Sequence, residues 1–139
     1  MIRILATALL ALSLTASGAF ATSLSELRET DGVFYKKFTD VPFTGNVDEG
    51  DERGVIKNGK QEGPWVGYWA TNGGLAFKGA YKNGKEKGPW VEYYESGQLR
   101  FKGTWKNDKR HGPWVYYYEN GTKNETLTGT WRNGKLVAL

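Results

Sequence analysis

The sequence predicts an all-β chain: tandem antiparallel β-hairpin repeats laid side by side in an elongated, twisted single-layer sheet, preceded by a signal peptide. Three observations carry this. A block returns three times, as Gly63-Pro64-Trp65-Val66, Gly88-Pro89-Trp90-Val91 and Gly112-Pro113-Trp114-Val115. Glycines 54, 79, 103 and 129 of a second block, which ends in Asn-Gly or Asn-Asp, recur at intervals of 25, 24 and 26 residues, the sign of a repeat architecture. Asn-Gly pairs between β-forming runs mark hairpin turns, because a type I′ turn needs positive φ at both central residues.

The first 21 residues differ from the rest. Arg3 is followed by an apolar run from Ile4 to Leu14, and Ala19-Phe20-Ala21 offers the small-x-small pattern of a cleavage site. These are the three parts of a secretory signal peptide. The run is short of the roughly 20 residues that span a bilayer, so no transmembrane segment is expected after cleavage. The expected location is exported, periplasmic or secreted. The chain has no cysteine, so neither disulfides nor thiolate chemistry are available to it.

Residues 22–56 form an acidic lead-in, with eight acids and four bases. Phe43-Thr44-Gly45 echoes Phe77-Lys78-Gly79, so this segment reads as a degenerate opening repeat that caps the array, with strands at Val33–Tyr35 and Phe43–Val47. Asp48-Glu49-Gly50-Asp51-Glu52 lacks the ligand spacing of a calcium loop and reads as a solvated acidic loop. Residues 57–139 hold seven acids and 14 bases. They comprise three repeats of about 25 residues and a closing half-repeat.

Each repeat offers two strands and two turns. Asn58-Gly59, Asn83-Gly84, Asn120-Gly121 and Asn133-Gly134 are read as type I′ turns, with Asn72-Gly73-Gly74 and Ser96-Gly97 as variants. The proline of each Gly-Pro-Trp is placed at the first position of its strand, where a missing N–H is tolerated. Alternation sets Trp65, Trp69, Trp90, Tyr94, Trp114, Tyr116 and Tyr118 on one face of the first strands. Leu75, Phe77, Gly79 and Tyr81 share a face in the second strand, as do Leu99, Phe101, Gly103 and Trp105. With no helix to cover either face, an open sheet is expected rather than a closed barrel.

The unit at 82–105, Lys-Asn-Gly-Lys-x-x-Gly-Pro-Trp-Val-x-Tyr-Tyr-x-x-Gly-x-Leu-x-Phe-Lys-Gly-x-Trp, resembles the bacterial MORN-repeat variant. The resemblance covers about 57–135. It implies β-hairpin repeats in an elongated sheet and a binding or scaffolding role. Some members of the group are labelled antitoxin components, and other MORN arrays are linked to membranes. A signal peptide departs from a cytoplasmic antitoxin.

No catalytic constellation emerges. His111 is the sole histidine and reads as an exposed turn residue without a nucleophile beside it. Glu92, Glu95 and Glu119 could supply carboxylates for hydrolysis, yet repetition accounts for Glu95 and Glu119. The expectation is a non-enzymatic chain with no cofactor and no metal.

Two binding surfaces are expected. The aromatic row Trp65, Trp69, Trp90, Tyr94, Trp114, Tyr116 and Tyr118 is the candidate dock for a protein partner, because tryptophan and tyrosine dominate interface hot spots. The recurring bases Lys78, Lys82, Lys85, Lys87, Lys102, Lys106, Lys109 and Arg110 are the candidate contacts to anionic lipid or polysaccharide. Export argues against nucleic acid.

Overall fold

A computed structural model describes residues 22–139; the signal-peptide reading of residues 1–21 lies outside them. Thirteen strands follow one another: β1 (Thr22–Ser23), β2 (Leu27–Thr30), β3 (Val33–Lys36), β4 (Gly45–Glu49), β5 (Glu52–Lys57), β6 (Lys60–Tyr68), β7 (Leu75–Lys82), β8 (Lys85–Tyr93), β9 (Leu99–Lys106), β10 (Lys109–Arg110), β11 (Gly112–Tyr116), β12 (Gly129–Arg132) and β13 (Lys135–Ala138). Eleven of them make one open sheet in the order β1-β4-β5-β6-β7-β8-β9-β11-β12-β13, with β10 also on β9. From β4 onward it is an antiparallel meander; only β1 pairs in parallel, on β4. The expected open sheet of hairpins is what forms.

The turns divide into two kinds. At one margin, Asn58-Gly59, Asn83-Gly84, Asn107-Asp108 and Asn133-Gly134 hold positive φ at both positions, as a type I′ hairpin requires. Asn107-Asp108, with no glycine, adopts the same turn because asparagine and aspartate tolerate this region. At the opposite margin, Gly50, Gly73, Gly97 and Gly121 are positive with no positive neighbour in the turn. Asn120-Gly121 is therefore not a type I′ turn. It belongs with Ser96-Gly97, where Gly97 N–H donates to Tyr94 O and Tyr94 N–H to Gln98 O. In Asn120-Gly121 the corresponding bonds join Gly121 to Tyr118 and Tyr118 to Thr122.

The prolines are not at strand starts in β6 and β8. Each strand begins four residues earlier, and the glycine before the proline has φ near +76 to +80°. Val55 pairs with Glu62 but Arg53 with Val66, so Gly63-Pro64-Trp65 is a bulge. A bulge tolerates proline because the pairing is already interrupted.

That bulge sets how each tryptophan packs. Trp65, Trp90 and Trp114 pair across the sheet with Gly79, Gly103 and Gly129 of the following strand. Their rings lie over Gly54, Gly79 and Gly103 of the preceding strand, where any β-carbon would overlap the indole. Tryptophan and glycine therefore alternate along the array. Trp65 Nε1 donates to Val55 O at 3.3 Å and Trp114 Nε1 to Thr104 O at 3.1 Å; each acceptor follows the covered glycine. Second-strand rings fill the gaps. Trp90 stacks on Phe77 (5.2 Å between ring centres, 5° between planes) and meets Tyr81 edge-on (5.5 Å, 89°).

The lead-in closes one end of this aromatic layer. Leu27, Phe43, Val47, Ile56 and Trp65 form one core cluster, with Leu24, Phe34, Phe77 and Tyr81 against it. The β2–β3 hairpin, a separate two-stranded sheet, brings Leu27 and Phe34 to it. Trp114, Tyr116 and Trp131 form a second cluster with Phe101, Trp105 and Leu136.

Candidate functional site

Directly opposed residues of an antiparallel pair share a face, so the register gives the sheet two unlike sides. The aromatic side carries Trp65, Phe77, Tyr81, Trp90, Phe101 and Trp114. It also carries three half-buried carboxylates: Glu52 opposite Gly67, Glu86 opposite Tyr81, and Glu92 opposite Phe77 and Phe101. Burial raises all three. Glu86 is pushed up to about 7, with Asp108 and then Glu92 adding to it and Arg110 opposing. Glu52 is raised by burial and then by Asp51. Glu92 is raised by burial against the pull of Arg100, which binds it at 2.5 Å. A pocket of about 540 Å³ opens here between the lead-in and the sheet, lined among others by Phe34, Glu52, Tyr81 and Glu92. The acidic turn after β4 is thus not wholly solvated, since Glu52 turns onto this side.

Because Glu86 binds its proton more tightly folded than unfolded, it favours the fold fully below about 4.5, and that benefit fades as pH rises through 7. Glu86→Gln is expected to raise stability at pH 8 by about 1 kcal/mol, allowing for screening of a half-exposed group. It should leave stability at pH 4 nearly unchanged. Urea unfolding at the two pH values checks this; an equal change at both would reject it.

The expected aromatic dock divides. Trp65, Trp90, Trp114 and Tyr116 are buried, Trp65 and Trp114 to 1% exposure, by the chain's own glycines, rings and lead-in. Trp69, Tyr94 and Tyr118 do not continue that row. Register shifts after Gly67 and Glu92 break the alternation, and these three stand at the base of the looser turns. Tyr118 is 50% exposed; Trp69 and Tyr94 are half-buried. His111 follows β10, half-buried rather than exposed in a turn, its backbone N–H donating to Thr104 O at 2.9 Å.

The opposite side is open. One row runs Val66, Lys78, Val91, Lys102, Val115 across β6, β7, β8, β9 and β11, each residue directly opposed to the next. Beside it Pro64 faces Ala80, Pro89 faces Thr104 and Pro113 faces Thr130. The prolines and both lysines are exposed. All of these residues except Val66 and Thr130 line a shallow apolar groove of about 620 Å³.

Seven of the eight expected basic contacts belong to this side. Lys78 and Lys102 stand in the groove; Lys82, Lys85, Lys87, Lys106 and Lys109 stand by the type I′ turns. Arg110 does not join them. Adjacent to Lys109 in a strand, it projects to the aromatic side, its guanidinium 4.6 Å from the centre of the Trp131 ring and 5.4 Å from that of Tyr116. Four further cations complete the lysine margin: Lys57 opposite Lys60 and Arg132 opposite Lys135. Their signal was present in the sequence, since each flanks an Asn-Gly pair as Lys82 and Lys85 do.

An open, single-layer sheet of repeated β-hairpins, with rings packed on one side and lysines presented on the other, defines a β-hairpin repeat protein. The MORN repeat variant model matches residues 86–107 and 110–129, so this part of the chain is similar to MORN repeats, and the same tryptophan-on-glycine packing occurs one unit earlier at Trp65. Repeats of this kind point to a protein- or lipid-binding module. No curated protein matches the chain. Among the described residues no helix is long and apolar enough to cross a membrane.

Proposed function

We propose that this chain is an exported, non-catalytic binding module that holds an anionic partner on its lysine-bearing face. The observation that supports this is the Val66-Lys78-Val91-Lys102-Val115 row, in which both lysines are exposed and the valines half-buried, on a side that the fold leaves open while burying its best aromatic residues. Lysines over an apolar floor offer charge for recognition and area for adhesion. Attraction between exposed charges weakens with salt, so binding should do the same.

The test compares two variants of equal net charge. Lys78→Glu/Lys102→Glu reverses the row, and Lys37→Glu/Lys123→Glu reverses two exposed lysines elsewhere. Binding is measured to phosphatidylglycerol vesicles and to a carboxylated polysaccharide. The row variant is expected to bind its anion at least about tenfold more weakly, the control within about threefold. Equal losses would mean that net charge alone does the work and would remove this face from consideration.

A second reading rests on Trp69, Tyr94 and Tyr118, which occupy one repeat position at the looser turns. A protein partner, including a toxin neutralised by the chain, would use this margin. Trp69→Ala/Tyr118→Ala would then abolish co-purification of that partner while leaving anion binding intact.

A further inference from the structure

The lysines by the type I′ turns face one another. Lys57 opposes Lys60, Lys82 opposes Lys85, Lys106 opposes Lys109, and Arg132 opposes Lys135; Lys87 also opposes Lys106. Like charges directly across a strand pair destabilise a sheet, yet the arrangement recurs at all four turns. Among the described residues only Lys82 of this group has an ion-pair partner, Glu62. Edge protection accounts for Lys135 on the terminal strand β13, but not for Lys57, Lys60, Lys85 and Lys106, because β5, β6, β8 and β9 lie inside the sheet.

The charge is a stripe and not a plane. Pairs recur every second strand, and strands lie about 4.8 Å apart, so cationic pairs step along the array at about 10 Å for about 30 Å. At the other end of the same strands the turns carry Asp51, Glu95 and Glu119, all exposed. A flat anionic surface laid across this face would meet those acids. A chain running perpendicular to the strands along the lysine margin would miss them; the acids it passes there are already engaged, Glu62 by Lys82 and Asn83 N–H and Asp108 by Glu86 N–H. Beside the stripe lies the Pro64, Pro89 and Pro113 row, an apolar rail of the same repeat.

We infer that the lysine stripe is a track for a linear acidic polysaccharide, whose carboxylates pair with successive lysine pairs while its C–H faces rest on the proline row. This deepens the proposed function and rests on it. It adds that the ligand is a polymer and that affinity depends on the number of repeats it spans.

The test titrates the full chain with fluorescently labelled oligogalacturonates of two, six and twelve units, followed by anisotropy at two salt concentrations. Affinity is expected to rise at least tenfold from the shortest to the longest and to fall steeply with salt. Lys85→Glu/Lys109→Glu should remove most of the length dependence with an unchanged melting temperature, since both side chains are exposed. Lengths that bind equally would overturn the track, as would phosphatidylglycerol vesicles or a single-stranded oligonucleotide that binds more tightly than the twelve-unit chain. In those cases anion binding on this face would survive. Binding to no anion would overturn both readings.

Discussion

Trp114→Ala is expected to lower the unfolding free energy by about 3–5 kcal/mol, the range for emptying a buried aromatic site. The ring is 1% exposed. It lies 4.9 Å from Trp105, 5.6 Å from Phe101 and 5.9 Å from Tyr116 between ring centres, and its indole N–H serves Thr104 O. The same contact can be attacked from the other side. Gly103→Ala places a methyl group inside the indole, and overpacking of this kind costs about 1–3 kcal/mol or more. The two substitutions should not add. Once Trp114 is alanine nothing occupies the space over Gly103, and alanine in a strand is otherwise preferred to glycine. In that background Gly103→Ala should be neutral or stabilising, a coupling of at least about 1 kcal/mol. Chemical unfolding of the four proteins measures it. Simple additivity would show that ring and glycine do not meet as described.

This pairing also marks how far the sequence can be read. The repeat period and the parity of each strand place Trp65 and Trp90 on one face of the first strands and Phe77 with Gly79 and Tyr81 on one face of the second; the register then joins the two on one side. Parity cannot state what lies over that side. A row of rings at one spacing reads equally as a dock or as a core, and the deciding feature is the glycine opposite each tryptophan. A strand gives up packing and backbone entropy to hold a glycine, so its recurrence signals a neighbour needing the space. Arg110 was separable from the lysines on the same grounds, since Lys109 and Arg110 are adjacent and must point apart. The bulge at Gly-Pro-Trp was less legible. Proline suits a strand start and a bulge alike, and the positive φ of Gly63 selects the second.

The lead-in was legible in outline only, because it occurs once and offers no second copy to align. Phe43 and Gly45 echo later repeats. The parallel β1–β4 pair and the detached β2–β3 hairpin have no counterpart in the array. Closure such as the local bridge of Tyr35 to Pro42, or the longer reach of Phe34 N–H to Gly59 O at 2.7 Å, follows from tertiary fit and leaves no periodic trace.

The second large effect is expected at that junction. Ile56 is 0% exposed. It opposes Gln61 on one side and Gly45 on the other and packs in the cluster of Leu27, Phe43, Val47 and Trp65. Ile56→Ala should cost about 2–5 kcal/mol. The loss should also be local. In a stacked array each unit contacts only its neighbours, so stability is close to a sum of unit and interface contributions. The cluster around Trp114 and Trp131 shares no buried residue with the cluster around Ile56; Trp90 and its partners Phe77 and Tyr81 stand between them. Amide hydrogen exchange in Ile56→Ala should therefore accelerate first in β4, β5 and β6, with β9, β11 and β12 retaining most of their protection. The reciprocal experiment, Trp131→Ala, should reverse the order. Uniform loss of protection in both variants would mean that the aromatic layer couples the two ends into one cooperative core. The lead-in would then be an integral part of that core and not a cap on the first repeat.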